Sequence, residues 1–134
     1  MAEAFSQFLD SKKAVKSTEP VTALREGWDD YVRFAASRPR LYAAMLSRVV
    51  QGAQIPAAQQ GFALLIERIA AIEAQGRLAL TVAVAADLMW ASANAASMLY
   101  VTAQLRNTAP PATDVLEGIR ENAVGAILTP ESKG

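Results

Sequence analysis

Apolar residues recur along this chain at intervals of three and four, the spacing of one face of an α-helix, and prolines and most glycines fall between the recurring stretches. Residues 3–14 carry Phe5, Phe8 and Leu9 on one side, with Lys12, Lys13 and Lys16 near the C-terminal end, where cations suit the helix dipole. Ser17-Thr18-Glu19-Pro20 reads as a helix start, and Val21, Leu24, Trp28, Tyr31 and Ala35 continue that helix to about residue 36. Arg38-Pro39 ends it, because a residue before proline avoids the α region. Pro39 opens a third helix with Leu41, Tyr42, Met45, Leu46, Val49 and Val50 on one stripe, ending at Gln51-Gly52. Pro56 opens a fourth, striped by Phe62, Leu65, Ile66, Ile69 and Ile72 and closed by Gly76. Thr81 is the expected N-cap of a long fifth helix, 82–105. Thr113-Asp114 begins a sixth, reaching about residue 128, with Val115, Leu116, Ile119, Ala123, Val124 and Ile127 on its apolar stripe. Residues 78–84 alternate imperfectly and merge into the fifth helix. The pattern predicts one all-α domain, 1–134, a bundle of about six helices with a frayed tail from residue 129.

The fifth helix poses the question the others do not. Between Val82 and Val101 only Asp87, Ser92, Asn94 and Ser97 are polar, and a helix that is apolar all round must be covered all round. It could span a membrane, although it is rich in alanine and carries Asp87 inside it. It could be the central core helix of a monomer. It could pack one face into its own bundle and the other against a second copy of the chain. For that third arrangement Ala91, Ala95 and Met98 share a stripe with Leu88 and Thr102, while Ala86, Trp90, Ala93, Ser97 and Tyr100 share another. The last helix is the natural second member, so two helices from each subunit would form a four-helix seam.

Composition narrows the chemistry. The chain has 134 residues, 13 basic and 13 acidic, and neither cysteine nor histidine. Disulfides, thiolate zinc sites and iron–sulfur clusters are excluded, as are imidazole metal sites and Ser-His-Asp catalysis. No metal site, cofactor or catalytic constellation is visible, so an enzyme is not expected. Zero formal charge argues against a phosphate-binding surface and predicts no specific DNA binding by this chain. Hydrophobic residues make up 52% of it, too apolar for disorder. No apolar run occupies residues 1–13, so no signal peptide is expected and a cytoplasmic location is the default. No membrane partner is expected either.

The stretch from Tyr31 through Phe34, Pro39, Leu41 and Tyr42 to Met45 resembles a motif of TetR-family transcriptional regulators: an aromatic helix end, a proline, Leu-Tyr and a methionine. Ala74-Gln75-Gly76-Arg77-Leu78 resembles that family's exit between long helices, and Ala85-Ala86-Asp87-Leu88-Met89-Trp90-Ala91 the start of its penultimate helix. With the last helix, the likeness covers nearly the whole chain. It is to the C-terminal regulatory domain; nothing matches the N-terminal helix-turn-helix, and residues 3–14 resemble the helix that leaves such a head. Where many members have a His-Gly pair, this chain has Asn94-Ala95. The resemblance implies a homodimer that binds a small apolar or aromatic effector inside each bundle. Ligand binding would shift the population between two arrangements of DNA-binding heads. The alternative function is a helical dimerisation or adaptor module without a ligand.

For the effector site the candidates are Trp28, Tyr31, Tyr42, Met45, Phe62, Met89, Trp90 and Asn94. All but Asn94 lie on inward stripes, where each could equally fill core volume. Tyr31, Tyr42, Trp28 and Trp90 stand out because a buried hydroxyl or indole N–H needs a partner, which a ligand can supply. The Asn94 amide, midway along an apolar helix, is expected to bond across the seam or to point into a pocket. For the dimer seam the candidates are Ala91, Ala95, Met98, Thr102, Leu116, Ile119, Ala123 and Ile127. Asp29-Asp30 and the arginines Arg33, Arg38, Arg40 and Arg48 are expected on solvated faces.

Overall fold

A computed structural model describes residues 19–130. Five helices make up this part: α1 (Pro20–Ser37), α2 (Pro39–Val50), α3 (Pro56–Ala74), α4 (Val82–Leu105) and α5 (Thr113–Ile127). No strand occurs among the described residues; the one β feature is an isolated antiparallel bridge between Leu78 and Leu128. The helix expected over residues 3–14 and most of the expected frayed tail lie outside the described residues.

Local signals set the helix ends. Pro20, Pro39 and Pro56 each stand at a first turn, where a missing N–H costs nothing. The Glu19 carboxylate caps α1 by accepting from the Thr22 N–H at 2.7 Å, and that bond lowers its pKa. Thr81 caps α4, its hydroxyl accepting from the Val84 N–H at 3.2 Å. Three helices end the same way. Gly52, Gly76 and Asn107 take φ of 90°, 69° and 57°, and the next N–H reaches back five residues: Ala53 to Arg48, Arg77 to Ile72 and Thr108 to Ala103. The left-handed residue reverses the chain, and the long bond satisfies a carbonyl the helix would orphan.

Helix α4 is the axis of the fold and touches all four others. Its inward side, with Ala85, Ala86, Met89, Ala93 and Ala96 fully or nearly buried, meets Val21, Leu24 and Trp28 of α1, Ile69 and Ile72 of α3, and Val124 and Ile127 of α5. A second cluster joins Phe34 and Ala35 of α1, Tyr42 and Met45 of α2, Ala57 of α3 and Val101 of α4. Tyr31 packs against both clusters. The small alanines of α4 let its neighbours approach closely on every inward side.

Polar contacts pin α5 across α1. Arg25 holds Glu121 through both carboxylate oxygens, and Arg120 holds both oxygens of Asp29 at 2.9 Å. Asp29, expected on a solvated face, is thereby a partner of α5; the pair Asp29-Asp30 splits, with Asp30 bound to Arg33. The four arginines expected at the surface are exposed. The end of α5 is fixed over the α3–α4 link by the Ala79 N–H to the Ile127 carbonyl and the Thr129 N–H to the Arg77 carbonyl. Ile127 is corrected by this packing. Placed at the seam by its spacing, it is 0% exposed in the core of the single chain, and Val124 and Leu128 lie buried beside it.

The other side of α4 is uncovered. Val84, Leu88, Ala91, Ala95, Met98, Thr102 and Leu105 are all exposed and follow one another at alternating steps of four and three. That average of 3.5 is the repeat of a helix seam. By length and composition α4 could also cross a membrane.

The left-handed caps generate a stability prediction. No heavy atom lies within 4 Å of a Cβ built at Gly76, so Gly76→Ala is penalised by backbone conformation alone. It is expected to cost about 1 kcal/mol, while Asn107→Gly gains about half as much. Urea unfolding curves of the two variants against the wild type check both signs.

Candidate functional site

A cavity of about 470 Å³ opens beside the N-terminal half of α4. Its walls come from four helices and from the link before α3: Leu24, Gly27, Trp28 and Tyr31 of α1, Met45, Leu46 and Val49 of α2, Ile55 from the link, Phe62 and Leu65 of α3, and Met89, Trp90 and Ala93 of α4. The lining is mostly apolar, and the volume suits a ligand of drug or metabolite size. Exposed Ala53, Gln54, Gln59, Asp87 and Trp90 line it where it meets solvent.

Six of the eight residues expected at the effector site line this cavity: Trp28, Tyr31, Met45, Phe62, Met89 and Trp90. Two stand behind its wall, and here the expectation is corrected. The Tyr42 hydroxyl donates to the Asn94 Oδ1 at 2.5 Å, and the Tyr31 hydroxyl donates to the same oxygen at 2.8 Å. The Asn94 Nδ2 donates to the Trp90 carbonyl at 2.9 Å. The amide thus has its partners inside the bundle, neither across a seam nor toward a ligand. The two tyrosine rings meet edge to face, their centroids 6.1 Å apart.

The same economy holds for the other polar tips. The Trp28 indole N–H donates to the Ser92 hydroxyl at 2.9 Å, which in turn donates to the Met89 carbonyl. Ser97 returns its hydroxyl to the Ala93 carbonyl at 2.7 Å. The sequence argument that these aromatics need a ligand to satisfy them therefore does not hold for Trp28, Tyr31 or Tyr42. Serine and asparagine of the apolar helix α4 satisfy them, across 52 to 64 residues of chain. Burial pushes the phenol of Tyr42 up to about 12 and that of Tyr31 further still.

Charge enters the cavity at two points. Arg68 reaches from α3 toward α1, where its Nη1 donates to the Ala23 carbonyl at 3.3 Å. Burial lowers its pKa, opposed by the carboxylates of Asp30, Glu26 and Glu67. Asp87 lies on the exposed rim. Sequence reasoning missed Arg68 and the wall built by residues 53–59. Arg68 sits outside the apolar stripe of its helix, and the link to α3 carries no periodic signal. Among the described residues no group of three acidic or imidazole side chains is placed to hold a metal ion.

The shared acceptor makes a prediction about stability and pH. Asn94→Ala leaves two buried hydroxyls without an acceptor and is expected to cost about 2–4 kcal/mol; Tyr42→Phe removes one donor and costs about 1 kcal/mol. In a double-mutant cycle the two are expected to be non-additive by about 1 kcal/mol. Both phenols are raised in the folded state, so unfolding releases protons at alkaline pH. Their contribution is complete below the unfolded value near 10 and declines as pH rises toward 12. Urea unfolding at pH 8 and pH 11 is expected to show that fall, reduced in Tyr42→Phe.

The chain was compared with protein-family models, with curated proteins and with solved structures, and none of the three gives a match. Its function is read from the cavity and from the exposed side of α4.

Proposed function

We propose that the chain is the ligand-sensing and dimerisation domain of a TetR-like transcriptional regulator, acting in the cytoplasm as a homodimer. On this reading it performs no catalysis and reaches DNA only through a separate helix-turn-helix head. The observation that carries the ligand is the cavity: about 470 Å³, mostly apolar, and bounded by six of the residues that helical spacing singled out, where the family resemblance implies a ligand inside the bundle. A bundle whose only task is to hold two partners together has no need of such a space, which interior packing normally closes. That favours the sensor over the adaptor module.

The uncovered stripe of α4 supports the homodimer. Seven consecutive seam positions from Val84 to Leu105 are exposed, and a soluble chain rarely leaves so long an apolar strip in water. Of the residues expected at the seam, Ala91, Ala95, Met98 and Thr102 lie on this stripe; Leu116, Ile119 and Ala123 of α5 are half-buried, and exposed Val115 extends the surface. A two-fold axis near Ala91 and Ala95 would bring the strip against its own copy, small residues at the crossing. A bilayer is the poorer cover, because the opposite side of the helix is packed with four protein helices and carries a bonded asparagine.

Two experiments test this reading. In sedimentation velocity at tens of micromolar the chain is expected at twice 14.3 kDa. Ala95→Arg is expected to give a monomer or an aggregate, and Arg48→Ala to leave assembly unchanged; a wild-type monomer refutes the dimer. In a thermal-shift screen apolar compounds are expected to raise the melting temperature, and Ala58→Phe, which puts a ring into the cavity, to abolish the rise. A screen in which nothing stabilises the wild type refutes the sensor.

A further inference from the structure

The charges around the cavity go beyond its apolar lining. We infer that its ligand is a lipophilic cation: an organic ammonium whose apolar body lies between Trp28, Phe62 and Met89 and whose charge lies beside Asp87 and Trp90. This rests on the ligand-sensing reading above and adds the sign of the ligand's charge.

Three observations point the same way. Asp87 lines the cavity at its rim and has no ion pair among the described residues. The cation in the lining, Arg68, is already engaged. It bonds to the Ala23 carbonyl and is attracted by Glu26, Asp30 and Glu67, of which only Asp30 is shared with another arginine, Arg33. The Glu26 Oε1 is itself buried without a hydrogen-bond partner among the described residues. The charged groups of the lining are Arg68 and Asp87; Arg68 is balanced by the carboxylates of Asp30, Glu26 and Glu67 behind it, so the charge left for a ligand to meet is that of Asp87.

The aromatic side chains complete the argument. Trp28, Tyr31, Phe62 and Trp90 all line the cavity. The indole N–H of Trp28 and the hydroxyl of Tyr31 are spent on Ser92 and Asn94, so these residues present rings to a ligand rather than donors. An anion gains little from such a wall, whereas the negative face of an aromatic ring attracts an ammonium, tryptophan most of all. Asp87 and Trp90 sit three apart on α4, on neighbouring turns of one helix edge, so one ammonium can meet both.

The protein supplies its own reporter, since both of its tryptophans line the cavity. Quenching of their fluorescence is followed with three probes built on one phenylbutyl chain: 4-phenylbutyl-trimethylammonium, its neutral carbon isostere with a tert-butyl end, and 5-phenylpentanoate. The cation is expected to bind about tenfold more tightly than the neutral isostere, and the carboxylate most weakly. Asp87→Asn is expected to weaken the cation about three- to fivefold and to leave the neutral compound unchanged. Asp87 is exposed, so the variant is expected to melt with the wild type. Trp90→Leu provides a second test, lowering the preference for the cation over its isostere. Equal binding of cation and isostere, or strongest binding of the carboxylate, overturns the inference and leaves the sensor standing. No quenching by any of the three, with no thermal shift, overturns both.

Discussion

An amide in the middle of an apolar helix has to find its hydrogen bonds within reach, and the bundle is arranged around how Asn94 does so. Its Oδ1 takes both tyrosine hydroxyls, one from α1 and one from α2, while its Nδ2 stays on the backbone of its own helix. One oxygen thereby fixes three helices relative to one another at a single depth. A neutral donor left unpaired at such a depth costs about 1–3 kcal/mol, so the arrangement resists any shift that separates the three. Trp28 and Ser92 repeat the device between α1 and α4, close to the cavity.

The cavity follows from these bonds. With Tyr31 drawn toward Asn94 and Trp28 toward Ser92, the two rings form a wall instead of collapsing into the space between α1 and α3. The polar atoms that would wet such a space are mostly turned away from it and satisfied elsewhere. What remains facing inward is apolar and aromatic, with charge confined to Arg68 and the rim at Asp87. A space of that character suits an apolar ligand, and on the inference drawn above Asp87 at its rim sets the preferred sign of that ligand's charge.

The helix ends and the inward stripes were legible in the sequence because the signals for them are local. Pro20, Pro39, Pro56 and Gly76 mark breaks within a turn of where they occur, and the stripes of α4 divide into Ala86, Ala93 and Ser97 inside and Ala91, Ala95 and Met98 outside, whereas Trp90 of the inner stripe and Val50, Ile66 and Val115 of the other helices' stripes are exposed. Six of the eight residues expected at the site line the cavity, because aromatics on inward stripes converge wherever helices do. The fates of the polar tips were not legible. Tyr42 needs a partner, but that Asn94 supplies it depends on the crossing of α2 and α4, which no spacing within either helix encodes. Ile127 went the same way: the stripe of α5 is wide enough to serve core or seam, and the bridge of Leu128 to Leu78 turns its last residue inward. Asp29 looked solvated until α5 delivered Arg120 to it.

On the proposed reading the chain couples a ligand site to a dimer seam, and α4 is the element that borders both the cavity and the uncovered stripe. Met89, Trp90 and Ala93 face the cavity, and Leu88, Ala91 and Ala95, interleaved with them on the same turns, face outward. A ligand that moves the first set moves the second. The most direct measurement is the dissociation constant of the proposed dimer, by sedimentation over a dilution series, with and without a saturating ligand from the phenylalkyl series. The account predicts a shift of about fivefold or more, in keeping with ordinary coupling energies between sites. A constant unchanged within about twofold, with the cavity demonstrably filled, would contradict it, since a ligand without differential affinity for the two arrangements shifts no equilibrium.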